Sequence, residues 1–393
     1  MMNNRRNRKG LTRYCLLVSI VSILLSGCWD RREVNDIAIV IAMSVDKEED
    51  GKYRLGVQIP LVSSMGSLSG GGGGTSGNES FYVDSAVGKT LHEARAILQT
   101  RMSRILYFAH YRVVVIGSEV ARSGFSKPFD IISRYPENRL TSYVVMTKGK
   151  AIDLLNAHPH FERFSGEAIR ELIKAVTIPV SIKDMAQMNI TPGIDTFLPV
   201  FDPVNTQPKG DSKEIEGTGF AVFRGDKLIK IYKRSEVAGI RWFQSYFNPF
   251  SFVIEMDDSG PISAMVLKGH AVVKPMIRQG RIHFDIQLYA SVFIPETLSP
   301  LDFNDKSTFN EVERRLAEKI TKKVDFILNE SKKHRVDPTG LGLTFAKRYP
   351  KLWEQKYKKR WEKELPHITF QIHSNVQVTN IGQTTNSLMK EGL

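Results

Sequence analysis

Cysteine is nearly missing from this 393-residue chain: there are two, Cys15 and Cys28, both near the N-terminus. No disulfide can therefore staple the body beyond residue 28, thiol catalysis there is excluded, and stability has to come from packed cores. Acidic residues are missing before Cys28, where Arg5, Arg6, Arg8, Lys9 and Arg13 stand. Familiar catalytic signatures are missing too. No Gly-x-Ser-x-Gly elbow occurs, so no strained turn is set to expose a serine nucleophile. Gly88-Lys89-Thr90 has Val83 where a phosphate loop needs glycine to let backbone amides wrap the phosphate. His158-Pro159-His160 has no carboxylate or further histidine at ligand spacing. His270 with His283, and His367 with His373, are pairs without a third ligand, and Asp257-Asp258 runs into Ser259-Gly260 as a turn. No catalytic residue, cofactor site or metal site is expected. Nor does any Lys/Arg stripe interleaved with aromatics mark a nucleic-acid groove, and no small-molecule substrate is identifiable.

What is present starts at the basic N-terminus. Tyr14 to Leu25 carries no charge, which with the preceding arginines makes a positive n-region and an apolar h-region, too short to span a bilayer comfortably. Leu25-Ser26-Gly27-Cys28 then resembles a bacterial lipobox. The expectation is a signal peptide over residues 1–27, cleavage between Gly27 and Cys28, and S-diacylglyceryl and N-acyl groups on Cys28. Each buried methylene contributes about 0.8 kcal/mol, so two or three acyl chains anchor far better than one. Five of the thirteen net positive charges lie before Cys28, leaving +8 on the body. On an exported protein that excess suits anionic headgroups or an acidic partner. Lys322, Lys323, Lys332, Lys333 and Arg335 form a basic patch that reads first as a solvated helix face with favourable dipole placement and, as the alternative, as a headgroup or partner surface.

Along the body, the apolar run 37–45 predicts a strand buried on both faces, Glu48-Glu49-Asp50-Gly51 a turn, and the alternation from Tyr53 to Leu61 a second strand. Residues 63–80 are Gly/Ser-rich, with Gly70 to Gly74 consecutive, and read as a flexible loop. Thr90 and Glu93 predict a capping box for a helix that buries Leu91, Ala94, Ile97, Leu98 and Met102. Strands at 81–83, 111–116 and 140–146 alternate with helices near 151–156 and 165–175, so residues 28–195 read as an N-terminal α/β domain. Pro199, Pro203 and Pro208 place a linker at 196–213.

The remainder, 214–380, reads as an α+β region, with a flexible tail at 381–393. Gly225-Asp226 turns a hairpin between 219–223 and 228–232. From Ile282 to Ile294 every even position is apolar, and residues 264–277 supply a partner strand turned by Arg278-Gln279-Gly280. His367 to Thr379 repeats the alternation, so these are expected to be antiparallel strands with one solvated face. Thr308 and Glu311 open a helix whose Phe309, Val312, Leu316, Ile320, Val324, Ile327 and Leu328 recur at three or four and cover the dry face. The fold class is therefore α+β: a multi-domain mixed α/β body, an N-terminal mixed domain followed by an antiparallel sheet packed on a long helix.

Several segments resemble the Ger(x)C family, the lipoprotein C subunits of bacterial spore germinant receptors. They are Gly27-Cys28-Trp29-Asp30-Arg31-Arg32-Glu33, Ile41-Ala42-Met43-Ser44-Val45-Asp46, Phe108 to Gly117, Phe220-Ala221-Val222-Phe223 with Asp226-Lys227-Leu228, and then Asp337, Gly340, Gly342, Pro350 and Trp353. The resemblance implies a non-enzymatic subunit acting in nutrient-triggered germination through protein–protein contacts. It implies lipid anchoring to the outer face of the cytoplasmic (spore inner) membrane, beside integral-membrane A and B type receptor subunits. It also implies a three-domain body, with the second half divided near 295–300. Trp29 would rest at headgroup level, with Arg31 and Arg32 near anionic lipid. The alternative from another class is an exported small-molecule-binding lipoprotein of the cell envelope, with a pocket between domains joined by a Pro-rich hinge.

Overall fold

β-branched and apolar runs supply the interior strands of this protein. A computed structural model of the chain describes residues 14–19, 33–61, 80–135, 137–206, 213–256, 260–298 and 301–382. The first apolar run breaks at Val40-Ile41 into β1 (Ile37–Ile39) and β2 (Ala42–Lys47), which enter different sheets. Gly51, at φ 82°, turns β2 into β3 (Tyr53–Pro60). There follow β4 (Phe81–Gly88), α1 (Leu91–Gln99), β5 (Ile105–Tyr107), β6 (Val113–Ile116), α2 (Ser118–Ser123), α3 (Ser126–Arg134), β7 (Tyr143–Met146), α4 (Ala151–Leu155), α5 (Ser165–Val176) and α6 (Ile182–Ile190). Thr90 caps α1 by accepting from the Glu93 amide at 3.2 Å, and the Glu93 carboxylate accepts from the Lys89 amide at 2.6 Å. Leu91, Ala94 and Leu98 are buried as the spacing predicts, while Ile97, on the flank of that stripe, is exposed.

The chain then enters β8 (Phe197–Asn205), β9 (Lys213–Arg224) and β10 (Lys227–Lys233). One eight-stranded mixed sheet results, in the order β10-β9-β8-β7-β6-β2-β3-β4. Its centre is parallel (β2, β6, β7) and its flanks are antiparallel. Helices cover both faces: Leu154, Leu155, Ile169 and Ile173 pack against Val113, Val115 and Val145, while Leu91 and Leu98 join Val45, Leu55 and Val114 on the other. Two side chains fasten the helices to the sheet. Asp46 accepts from the amides of Ala151 and Ile152 at 2.7 and 3.0 Å, capping α4 with a carboxylate at its positive end. Gln58 binds Leu155 O, Ser165 Oγ and the Gly166 amide at 3.2, 2.8 and 3.0 Å.

The expected linker at 196–213 is corrected here, because most of it is β8. Both Pro199 and Pro203 lie in that strand, opposite Phe220 and Ile215 of β9. On its other side β8 makes a single pairing to β7, Met146 with Val200. Proline lacks only a donor, so it is tolerated where one side of a strand is nearly unpaired. The hairpin through Gly225, at φ 56°, forms as predicted, but it extends this first sheet instead of opening a second domain.

The second sheet has the order β11-β12-β13-β14, from β11 (Phe250–Glu255), β12 (Pro261–Arg278), β13 (Arg281–Thr297) and β14 (Thr369–Asn380). Gln279 and Gly280 turn β12 into β13 with φ 49° and 73°, a two-residue turn matching the strand twist. β11, β12 and β13 are antiparallel, but β14 runs parallel to β13, with Ile286 beside Ile372. This corrects the all-antiparallel expectation. Period-two alternation reports which face a side chain joins and is blind to strand direction.

Between β13 and β14 lies α7 (Lys306–His334), about 43 Å long at the standard rise. Its N-cap is Asp305, which accepts from the Ser307 and Thr308 amides at 3.2 Å each, three residues before the predicted Thr308 cap. Val312, Leu316, Ile320, Val324, Ile327 and Leu328 are buried, in one core with Phe284, Ile286, Leu288 and Val292 of the sheet. The helix after 295–300 therefore packs on the sheet before it, and no division of the core falls there. The Gly/Ser loop, except Ser80, the turn Asp257-Asp258 and the tail beyond Gly382 lie outside the described residues. Among the described residues no helix is long and apolar enough to cross a membrane.

Candidate functional site

The residues to which the sequence assigns chemistry, Gly27, Cys28, Trp29, Arg31 and Arg32, lie outside the described residues. The histidines are dispersed. His160 pairs with Glu214, and His158 stacks on Phe81 at 5.2 Å. His270 faces and stacks on Tyr289, whereas His283 faces Met276 and bonds Thr369 Oγ1 at 2.8 Å, so the two do not meet across the hairpin. Among the described residues, no group of three or more His, Cys, Asp or Glu is placed to hold a metal.

What the structure does concentrate lies at the seam between the two sheets. Asp337, just past α7, is fully buried. Its Oδ1 accepts from Thr339 Oγ1 at 2.9 Å and the Leu341 amide at 3.1 Å; its Oδ2 accepts from the Gly342 amide at 2.8 Å and Trp361 Nε1 at 3.0 Å. Two of these amides open α8 (Leu341–Arg348), so the carboxylate also meets a helix N-terminus. Burial pushes the Asp337 pKa up, and the four donors oppose it. A group ringed by four donors fits its site as a carboxylate.

Asp337 is joined through its main chain to Asp195, which precedes β8. The Asp337 amide donates to Asp195 Oδ2 at 2.6 Å, and the Asp195 amide donates to Asp337 O at 2.9 Å. Burial, with the Asp337 charge adding to it, raises the Asp195 pKa to about 7 against the pull of the Asp337 amide and Arg224. Beside this pair two backbones touch. Gly193 has φ +95°, and a Cβ there would stand 2.8 Å from Gly342 C; one on Gly342 would stand 2.5 Å from Gly193 Cα. Only glycine fits either position. Above them Phe345, Trp353, Tyr357 and Trp361 pack ring on ring, Trp353 and Trp361 at 5.5 Å.

A second clamp crosses the same seam. Arg241, buried, donates to Asn248 O at 3.1 Å and Val176 O at 2.9 Å, while Asn248 Nδ2 donates to Lys174 O at 3.0 Å and to Thr177 O. Together they satisfy the carbonyls at the C-terminal end of α5. Burial lowers the Arg241 pKa to about 10. Farther along, Glu330 of α7 binds Lys230 Nζ at 2.7 Å and Tyr232 OH at 3.1 Å on β10. The two halves are thus held as one body.

Two clefts open along the seam, of about 450 and 250 Å3, and they share Thr191 and Ile194. Asp195 lines the smaller one. Asp195 and Asp337 are not arranged as an acid–base dyad, because both Asp337 oxygens are filled and shut away from solvent. Asp337, Gly340, Gly342 and Trp353 were marked by the family resemblance. Gly193, Asp195, Arg241, Asn248 and Trp361 carried no local signal, since their partners lie far off in sequence.

Two family models match this chain: "Spore germination protein N-terminal domain" over residues 30–203 and "Spore germination B3/ GerAC like, C-terminal" over residues 218–382. The chain is similar to YfkR of Bacillus subtilis (strain 168), 34% identical over 91% of this chain and 95% of that one. It is also similar to spore germination protein KC of the same organism, 27% identical over 97% and 98%. In fold it is similar to the crystal structure of the GerBC protein, with a TM-score of 0.57 and 16% identity, covering 86% of this chain and 97% of that one. With both halves matched in order and a relative this similar along nearly its whole length, the chain belongs to the Ger(x)C family of spore germination proteins.

Proposed function

We propose that this protein is a lipid-anchored, non-enzymatic subunit of a spore germinant receptor complex. It acts in nutrient-triggered germination through protein–protein contacts with integral-membrane A and B type subunits. The observation that carries this reading is full-length similarity to proteins named for spore germination, including protein KC and protein B3. The lipobox supports the anchor: Cys28 carries the acyl groups on the outer face of the cytoplasmic membrane, which becomes the spore inner membrane, and Trp29, Arg31 and Arg32 meet the headgroups. Tethering raises the effective concentration of the body toward membrane partners without any new contact. The seam clamps support a contact role, because a body whose polar core is locked loses little conformational freedom on binding.

Deleting the gene should abolish germination to one set of nutrients and leave non-nutrient triggers working. A full nutrient response in the deletant, with no related gene substituting, overturns the reading. The seam clefts favour a second reading, a small-molecule-binding lipoprotein of the envelope. Titration calorimetry against amino acids and sugars separates the two, since only the second predicts saturable heat from the isolated chain.

A further inference from the structure

The basic end of the seam is lined by Arg224, Arg335, Lys358 and Lys359 against Asp195 and Glu362. Two of these cations are already engaged. Arg224 donates to His334 O and lies 3.4 Å from Glu362, and Lys358 lies 3.0 Å from Glu354. Arg335 and Lys359 are exposed and make no ion pair among the described residues. The cleft thus holds two exposed cations that form no ion pair among the described residues, beside Asp195 and a Glu362 already paired with Arg224. The larger cleft continues from this end through Thr191 and Ile194 into apolar walls from Val180, Met188, Phe197 and Leu343. Ile190 on the basic cleft is 76% exposed and Tyr246 on the apolar cleft 55% exposed.

Extending the receptor-subunit reading on which it rests, we infer that this cleft is the docking groove for an extended, acidic segment of a partner protein. Carboxylates of that segment would pair with Arg335 and Lys359, and neighbouring apolar side chains would enter the larger cleft. Charge complementarity selects the acidic partner. The open shape selects a chain over a small molecule, because a pocket for the latter normally buries most of its ligand's surface. A strand-like segment advances about 3.3 Å per residue, so a few residues reach from one cleft to the other. The groove is preformed, since the Gly193–Gly342 contact and the Asp337 bonds lie directly beneath it.

The test places a photoreactive residue at Ile190 in the full-length chain in dormant spores, with a second placement at Val272 on the solvated face of the second sheet. The Ile190 probe should crosslink to a membrane-spanning protein, within a segment that carries at least two Asp or Glu beside apolar residues. The pair Arg335→Glu with Lys359→Glu should lower that yield about tenfold, since each lost pair and each new repulsion is of the size of a surface ion pair. Lipid labelling and the Val272 crosslinks should not change. The neutral pair Arg335→Gln with Lys359→Gln gives the same answer at smaller amplitude should the reversal misfold. Crosslinks from Ile190 into lipid, into a neutral or basic segment, or at unchanged yield after the reversal overturn the docking site alone. A wild-type chain that crosslinks to no protein from either position and co-purifies with no membrane protein overturns the receptor reading, and this proposal with it.

Discussion

Replacing Asp337 by alanine should remove a large part of the stability of the fold. The carboxylate satisfies four donors, three of them N–H groups with no freedom to turn elsewhere: the Leu341 and Gly342 amides and Trp361 Nε1. Each buried donor left without an acceptor costs about 1–3 kcal/mol, and water entering the void recovers part of that, so the expected loss is roughly 4–6 kcal/mol. Whole domains are stable by only about 5–15 kcal/mol. Asp337→Asn keeps one acceptor for Thr339 and Leu341 but turns an amide toward Gly342 and Trp361, and should cost about 2–4 kcal/mol. Equilibrium urea unfolding of residues 30–382, followed by tryptophan fluorescence, reads both, because Trp353 and Trp361 share this site. The alanine variant should lower the urea midpoint by roughly 1–2 M at the slope expected for a body of this size. A midpoint unchanged from wild type, with the tryptophan emission also unchanged, would refute the assignment of Asp337 as the clamp between the two sheets.

Other perturbations follow from the same contacts. Gly193→Ala places a Cβ 2.8 Å from Gly342 C at positive φ and should destabilise by about 2–4 kcal/mol; a loss below ~0.5 kcal/mol contradicts the close approach. Asp195 has its folded pKa raised to about 7, above its unfolded value, so the native state retains a proton that the unfolded state releases. Its contribution is complete below about pH 4 and is lost as pH rises through about 7. Asp195→Asn should therefore gain on wild type in thermal melts as pH goes from 5 to 8, and parallel pH profiles would show that Asp195 does not titrate there. Leu316→Ala on α7, fully buried, should cost about 2–5 kcal/mol in the same urea assay. Cys28→Ala should leave the chain unlabelled by radioactive acyl precursors and move it out of the membrane fraction.

How much of this was legible depended on the range of the signal. The β12–β13 hairpin was legible because period-two alternation and the turn at Gln279-Gly280 are both local, and their register follows from the two-residue loop. The buried stripe of α7 was legible for the same reason, with its start misplaced because Asp305 outcompetes Thr308 as N-cap. β8 was hidden by Pro199 and Pro203, which read as a break until the nearly unpaired side of the strand is known. β14 was placed on the right face in the wrong direction. The helix cap at Asp46, a member of the family pattern, had no visible purpose in the chain alone; its partners Ala151 and Ile152 are brought to it by the parallel crossover. The seam was the least legible part. Asp195 and Asp337 meet across 142 positions, and no periodicity connects them. Gly27 and Cys28, on which the proposed anchor rests, are marked by a purely local motif and lie outside the described residues.

The most direct test of the account is recovery of the intact chain from detergent-solubilised membranes of dormant spores, with identification of what comes with it. The receptor-subunit reading predicts two integral-membrane proteins in constant proportion to the chain, and their loss when Cys28 is replaced by alanine. A chain recovered alone from wild-type membranes, still carrying its lipid, would contradict it.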